Sequence, residues 1–327
     1  GENGSLLLEP SRAQLIQFSE YFGASSWSEY AFGGASLTKT FGYTSPEGVD
    51  NAYKFNVVIG TGGVLFTHNF TATASVDHTL SVWMKGEVGG EKVQIDFKNT
   101  SSSGITGSLL TLTNEWKRYD LTFTNDTGTS RGFQFRMQQS SGLSDQTIYV
   151  WAAQAEPNAS YVSSYIPNHG ESGGVTRAAD SCSVTGASDV IGQTEGVIFV
   201  EFDKKTGTGE RRFFLQIGSG STTIYARLES NNSLTTQVLN GGTDYLTSTG
   251  TIIPSGNNKF AIGYANNDAV IYLNGTQLAS SSSVVVPALS SLYVGSNSSN
   301  AQTIGGEINQ ATLFNERLSN AELATLT

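Results

Sequence analysis

The stretch TLSVWMKG sets Leu80, Val82 and Met84 against Ser81, Trp83 and Lys85. In an extended chain successive side chains point to opposite faces, so this alternation reads as a strand with one buried face. KVQIDFKN repeats it, with Val93, Ile95 and Phe97 against Gln94, Asp96 and Lys98. So does RGFQFRMQQ, with Phe133, Phe135 and Met137 against Gln134, Arg136 and Gln138. WKRYDLTFT continues the pattern through Tyr119, Leu121 and Phe123, and the C-terminal half carries it in GVIFVEFDKK, RRFFLQIG, TTIYARLES, KFAIGYA and AVIYLNGTQLA. Within the last segment, Asn274-Gly275 between two apolar runs predicts a two-residue hairpin turn. The clearest helix signal is C-terminal: in RLSNAELATL, Ser319 and Glu322 have capping-box spacing ahead of Leu323 and Leu326. Short strands broken by frequent turns predict an all-β fold of sandwiches or jelly rolls.

A chain of 327 residues exceeds one ordinary core, since domains usually hold roughly 100–200 residues. Only 14% of residues are charged and 37 are Gly, which suits strands joined by turns. All four tryptophans (Trp27, Trp83, Trp116, Trp151) precede NHGESGGVTR, a Gly-rich polar segment with no strand pattern. Ile148, Val150 and Ala152 read as the last strand before it. The expected organisation is two tandem β-sandwich domains, residues 1–168 and 181–327, joined by a Gly-rich linker at 169–180.

The net charge of −10 argues against nucleic acid as a partner, because phosphate binding needs clustered Lys and Arg. No apolar run reaches the roughly 18 residues that span a bilayer, so no membrane insertion is expected. The chain starts without Met, as a processed or truncated product would. A single cysteine, Cys182, rules out an intramolecular disulfide and Cys-based zinc clusters, and it reads as a small structural thiol.

Catalytic patterns are thin. Glycoside hydrolysis needs two carboxylates across the bond. Glu201 and Asp203 share a strand face and resemble the Glu-x-Asp start of the family 16 hydrolase motif, but Lys204-Lys205 stand where the second Glu is expected. His68, His78 and His169 are far apart and read as structural or surface residues. No phosphate-loop motif surrounds Gly60–Gly63. The chain is therefore expected not to be an enzyme.

SLLLEPSRAQLIQFSEYFGASSW near the start, with SYIPNHGESGGVTRAAD, resembles a domain of bacteriophage tail and other virion proteins. That domain opens on Leu-Leu-Glu-Pro-x-Arg, closes on Ser-Tyr-Ile-Pro…Thr-Arg-Ala, and is similar to the family 4/9 carbohydrate-binding modules, which are jelly rolls. The usual Thr-Asn after the arginine is Ala13-Gln14 here. EGVIFVEFD, AVIYLNGTQLA and INQATLFNERLSNAELATL resemble a laminin-G/concanavalin A-like sandwich. The resemblance implies a jelly roll followed by a concanavalin A-like domain, and it admits a structural calcium near Glu9 or Asp145.

If the apolar sides of the three alternating strands face one core, their other sides form one exposed face. It would carry Trp83, Lys85, Gln94, Asp96, Gln134, Arg136 and Gln138. An aromatic plane ringed by amides, a carboxylate and a guanidinium supplies both the stacking and the hydrogen bonds that a sugar ring accepts. The competing reading packs Trp83 under a loop or at the core rim and leaves the rest as a solvated sheet. In the C-terminal half, Tyr225, Arg227 and Tyr245 read as packing or loop-anchoring residues, with a ligand groove as the alternative.

The expected function is a non-catalytic carbohydrate-binding or adhesion protein, a phage virion or tail component contacting a bacterial surface glycan. A tandem carbohydrate-binding module cut from a polysaccharide-degrading enzyme and a purely structural virion protein are the alternatives. The expected location is the virion surface or extracellular space, with homo-oligomer or virion assembly contacts.

Overall fold

The computed structural model describes residues 4–99, 105–126, 128–204, 211–299 and 302–327. It is nearly all β, in two compact units: Arg12–Arg177, and Gly1–Ser11 together with Ala178–Thr327. The first strand, β1 (Leu6–Leu8), belongs to the second of these.

Twelve strands build the Arg12–Arg177 unit: β2 (Arg12–Gln14), β3 (Trp27–Phe32), β4 (Ser36–Tyr43), β5 (Ala52–Val58), β6 (Gly63–Thr71), β7 (Asp77–Gly86), β8 (Lys92–Asn99), β9 (Ile105–Thr111), β10 (Lys117–Thr124), β11 (Ser130–Gln138), β12 (Gln146–Pro157) and β13 (Val175–Arg177). Ten of them form two five-stranded antiparallel sheets, ordered β10-β7-β12-β5-β4 and β3-β6-β11-β8-β9. The alternating apolar residues of both sheets meet in one core. Its centre is aromatic: Trp27 stacks on Phe66 at 5.1 Å and Phe22 meets Phe55 edge-on at 5.7 Å. The Trp27 indole satisfies its N–H on the Phe18 carbonyl at 3.2 Å, as buried indoles usually do.

Strand β12 runs past its expected end. A bulge between Trp151 and Gln154 puts Trp151 and Ala152 on the outer face, with Ala152 at φ 54, so that Ile148 and Val150 before it and Ala153 and Ala155 after it all reach the core. Ala152 is therefore not the inward residue that simple alternation predicts. The segment expected to be a linker is also more ordered: Val175–Arg177 pairs with Arg12–Gln14, bringing Arg177 opposite Arg12. The first unit thus runs to Arg177 and starts at Arg12.

The second unit has β1, β14 (Cys182–Thr185), β15 (Glu195–Lys204), β16 (Arg212–Ser219), β17 (Thr222–Leu228), β18 (Ser233–Asn240), β19 (Thr243–Ile252), β20 (Gly256–Ala265), β21 (Asp268–Leu273), β22 (Thr276–Ser281), β23 (Ser291–Val294), β24 (Gly306–Phe314) and helix α1 (Asn320–Leu326). The sheets are β1-β24-β15-β20-β21-β22 and β14-β23-β16-β17-β18-β19. Phe202 stacks on Phe214 between them at 4.4 Å. Asn274 and Gly275, at φ 49 and 78, make the predicted turn between β21 and β22, both in the left-handed region a tight hairpin demands. Helix α1 carries the predicted capping box, Ser319 with Glu322, and lays Leu323 on an apolar patch of Val197, Phe199 and Tyr272.

The expectation of residues 1–168 as one domain is altered at its start. Leu8 is 2% exposed in the core of the second unit, and β1 is the edge strand beside β24. Gly295 approaches Leu8 so closely that a Cβ there would lie 2.1 Å from Leu8 Cδ1.

Candidate functional site

The outer face of β3-β6-β11-β8-β9 is built in cross-strand rows. One row reads Ser28, Thr67, Gln134, Asp96, Gly107, and the next Tyr30, Leu65, Arg136, Gln94, Leu109. Side chains in such rows touch because paired residues of neighbouring strands share a face. Arg136 Nε donates to Asp96 Oδ2 at 2.6 Å, and Gln94 Nε2 donates to Asp96 Oδ1 at 2.7 Å. Gln134 Nε2 donates to Thr67 Oγ1 at 2.7 Å. Asp96 is fully buried although it lies on the face away from the core. Burial pushes its carboxyl above the usual carboxylate range, against the opposing pull of the Arg136 and Gln94 hydrogen bonds. Gly107 makes the room, since a Cβ there would sit 1.9 Å from Asp96 Oδ1.

At the β3 edge of this face, Tyr30 is 62% exposed and Phe32 38% exposed, and their rings stack at 5.7 Å with an interplanar angle of 26°. A groove of about 390 Å³ runs from Tyr30 past Leu65, Thr67 and Asn69 to Gln134 and Lys98. It therefore combines an exposed aromatic plane with amide, hydroxyl and ammonium groups held by a fixed sheet.

Four of the expected site residues, Gln94, Asp96, Gln134 and Arg136, are brought together as anticipated. Gln138 shares their face near the end of β11, where its Oε1 accepts from Ser140 Oγ at 3.2 Å. Trp83 and Lys85 are a correction: they lie on the other sheet, across the core from Asp96. The reason is connectivity. Strand β7 pairs with β10 and β12, while β8 pairs with β11 and β9, so the chain changes sheets between them. Trp83 is half-buried in a secondary cluster with Trp151, Trp116, Tyr43 and Tyr165.

Lys85 is held in a ladder of cations and rings that crosses that second sheet. Its Nζ lies 5.5 Å from the Trp116 ring centre and 5.1 Å from that of Tyr149. Lys54 Nζ lies 5.9 Å from both Tyr149 and Tyr43. The Trp116 indole donates to the Thr44 carbonyl at 3.1 Å. These groups are engaged with one another across that face.

The aromatic partners that sequence reasoning missed are Tyr30 and Phe32. Strand β3 opens on the inward Trp27 and is exposed at every other position, so WSEYAF lacks the apolar–polar contrast that marks a half-buried strand. The available signal was weaker: Tyr30 and Phe32 two residues apart, just before the Gly33-Gly34 turn.

Catalytic arrangements find little support. Glu29, paired with Lys39 at 2.9 Å, and Asp96 sit on strands three spacings apart, roughly 14 Å at about 4.8 Å each, beyond the span across which two carboxylates cleave a glycoside. His68 is buried edge-on to Trp27 at 5.1 Å, and burial brings its imidazole down to about 4. Burial also lowers His78, whose Nε2 accepts from the Thr73 amide at 3.3 Å. Among the described residues no group of three or more His, Cys, Asp or Glu is placed to hold a metal ion. Asp145 Oδ1 accepts from the Ile59 amide at 2.8 Å, and the Glu9 amide donates to Asp180 Oδ2 at 2.9 Å. No helix among the described residues is long and apolar enough to cross a membrane.

Residues 198–324 match the concanavalin A-like lectin/glucanases superfamily. The C-terminal part of the chain carries a concanavalin A-like domain. Among solved structures, the CBM40 module of the Ruminococcus gnavus IT-sialidase, bound to alpha2,3 sialyllactose, is 16% identical. That match covers 45% of this chain and 96% of the module, with a TM-score of 0.37. A CBM4 structure is also 16% identical, over 40% of this chain and 86% of that one, at a TM-score of 0.32. The heptameric SAP-like pentraxin of Limulus polyphemus is 9% identical over 40% and 68%, at 0.33. No curated protein matches.

In the concanavalin A-like domain, Glu201 and Asp203 lie on the outer face of β15, the face that carries Val197 and Phe199, and Glu201 Oε1 accepts from Asn257 Nδ2 at 2.6 Å. Lys204 is buried and donates to the Ile253 carbonyl at 2.8 Å; Lys205 lies outside the described residues. Arg227 sits 5.0 Å over Tyr225 and 5.6 Å over Phe213 and donates to Glu229 at 2.7 Å, and Tyr245 packs on the core. All three of the residues weighed there are engaged in packing.

Proposed function

We propose that this chain is a non-catalytic carbohydrate-binding protein whose recognition face is the outer surface of β3-β6-β11-β8-β9. The observation that carries the reading is the exposed Tyr30–Phe32 stack beside the Asp96–Arg136–Gln94 network in adjacent cross-strand rows. Axial C–H groups of a pyranose stack on the Tyr30 ring, while hydroxyls meet Gln134, Thr67, Asn69 and Lys98 along the groove. The buried Asp96 holds Arg136 and Gln94 in place, so the polar edge is ordered before the ligand arrives, which lowers the entropic cost of binding.

The finer part of the proposal is biological setting: a virion or tail component, at the virion surface or outside the cell, that contacts a bacterial surface glycan. Its support is the pair of end motifs, Leu6-Leu7-Leu8-Glu9-Pro10 with Arg12, and Ser164-Tyr165-Ile166-Pro167 with Thr176-Arg177-Ala178.

The test is a glycan array probed with the intact chain, followed by titration of the best binder against Tyr30→Ala. Loss of binding in a folded variant supports the assignment. Full binding by Tyr30→Ala removes this face from recognition. Release of reducing ends from the bound polysaccharide, abolished by Glu201→Gln, makes the chain an enzyme.

A further inference from the structure

Away from the glycan face, a cavity of about 310 Å³ opens in the first unit between Phe18, Tyr21 and Phe41. Its polar lining is Glu20, Asn51, Asn168 and His169. Two of its walls are large exposed rings: Tyr21 is 52% and Phe41 55% exposed. Exposed aromatics flanking one pocket are not explained by packing of the core, which lies beneath them on Tyr53.

The wall rings stand at steep angles to one another or to the ring beneath them. Phe18 meets Tyr21 edge-on at 71°, and Tyr21 and Phe41 lean on Tyr53 at 60° and 57°. Rings set this way enclose a rounded group, whereas a flat sugar ring needs one open plane. The polar lining is electron-rich. Asn51 donates its amide N–H to Glu20 Oε2 at 3.2 Å, which fixes the carboxylate in place. No Lys or Arg is among the described residues that line the cavity. Negative ring faces and a carboxylate both favour a positive guest.

The cavity is held open by the backbone. Phe18 adopts φ 51, and Gly170 at φ 145 comes so near that a Cβ would lie 3.1 Å from the Phe18 ring. The Ser19 amide donates to the Asn168 carbonyl and the Asn168 amide to Ser19 Oγ, both at 2.9 Å, and Gln17 Nε2 donates to the Gly170 carbonyl at 2.6 Å. Asn168 Oδ1 accepts from the amides of Gly170 and Glu171. Two loops far apart in sequence are thereby stitched into one rigid mouth.

We propose that this cavity binds an organic ammonium group, carried on a small alkyl or amino-sugar ligand. The ammonium sits among Phe18, Tyr21 and Phe41, and Glu20 supplies the counter-charge. The chemistry is shared by quaternary alkylammonium and by the primary ammonium of an amino sugar.

The experiment titrates the intact chain with choline chloride, with glucosamine, and with 3,3-dimethylbutan-1-ol, the neutral isostere of choline, following ring-proton shifts by NMR. At least one cation should bind about tenfold or more tighter than the isostere, the sum of ring and carboxylate attraction. Whichever cation binds more tightly assigns the ligand type. Phe41→Ala and Glu20→Gln should each weaken it about fivefold while the melting temperature holds, and Tyr30→Ala should leave choline binding unchanged. Binding of neither cation more tightly than the isostere, or an unaffected Glu20→Gln variant, overturns the proposal.

Discussion

Arg136 donates to Asp96 at 2.6 Å between neighbouring strands, and the carboxylate it meets has no exposed surface at all. Truncating Arg136 therefore does more than remove a ligand contact. Arg136→Ala should destabilise the first unit by about 3–5 kcal/mol, the usual cost of leaving a buried charge alone. Asp96→Ala placed on the Arg136→Ala background should recover part of that loss. Denaturant unfolding checks both, and a change under about 1 kcal/mol for Arg136→Ala would mean the pair is effectively solvated.

Tyr30 and Trp83 should separate binding from folding. Tyr30→Ala should weaken glycan binding and leave the melting temperature nearly unchanged, because its ring is mostly exposed. Trp83→Ala should do the reverse, losing about 1–3 kcal/mol through its contacts in the Trp151 cluster while binding persists. Glycan titration beside calorimetry on both variants decides it; the opposite pairing of effects would return recognition to the other sheet.

His68 makes the first unit acid-sensitive. Its imidazole titrates at 6.5 when free and at about 4 in its buried site, so the unfolded chain takes up a proton that the folded one refuses. Stability is then fully present above pH 6.5 and falls as pH drops towards 4, by about 3 kcal/mol for this group. His78, also lowered by burial, adds in the same direction, and Asp96, raised by burial, opposes it. The comparison of parent with His68→Phe across pH 4–7 isolates the slope; equal slopes would refute the buried-histidine account.

Leu8 reports on which unit owns the first strand. Leu8→Ala should lower the transition of the concanavalin A-like unit by about 2–4 kcal/mol and leave that of the Arg12–Arg177 unit in place. Differential scanning calorimetry with a glycan ligand to mark the first unit distinguishes the two. A shift in the first unit's transition would reverse the assignment.

Strand character was legible wherever one face is buried, as in β7, β8 and β11, because burial imposes the two-residue period directly. What a period cannot carry is which strands are neighbours. Strands β7 and β8 are consecutive and equally patterned, yet they lie in different sheets, so Trp83 and Asp96 were grouped on one face that does not exist. The polar half of the candidate site was legible because Gln94, Asp96, Gln134 and Arg136 sit on strands that do neighbour, through the β8·β11 register. Tyr30 escaped because an almost wholly exposed edge strand has no contrast to detect. The three leucines of β1 escaped for another reason: their partners are at the far end of the chain.

That long reach sets an order of events during synthesis. Ser5 bonds Glu307, 302 residues later, and Leu6, Leu7 and Leu8 pair with Ile308, Glu307 and Gly306. At roughly 5–20 residues per second, the ribosome needs about 15–60 s to make that intervening length. All strands of the Arg12–Arg177 unit have been made long before, so its sheets can close while the leucine strand still waits. Leu8 is made about 300 residues before the strand that buries it, so it waits without its core while β24 is still to come, a segment for a chaperone to hold.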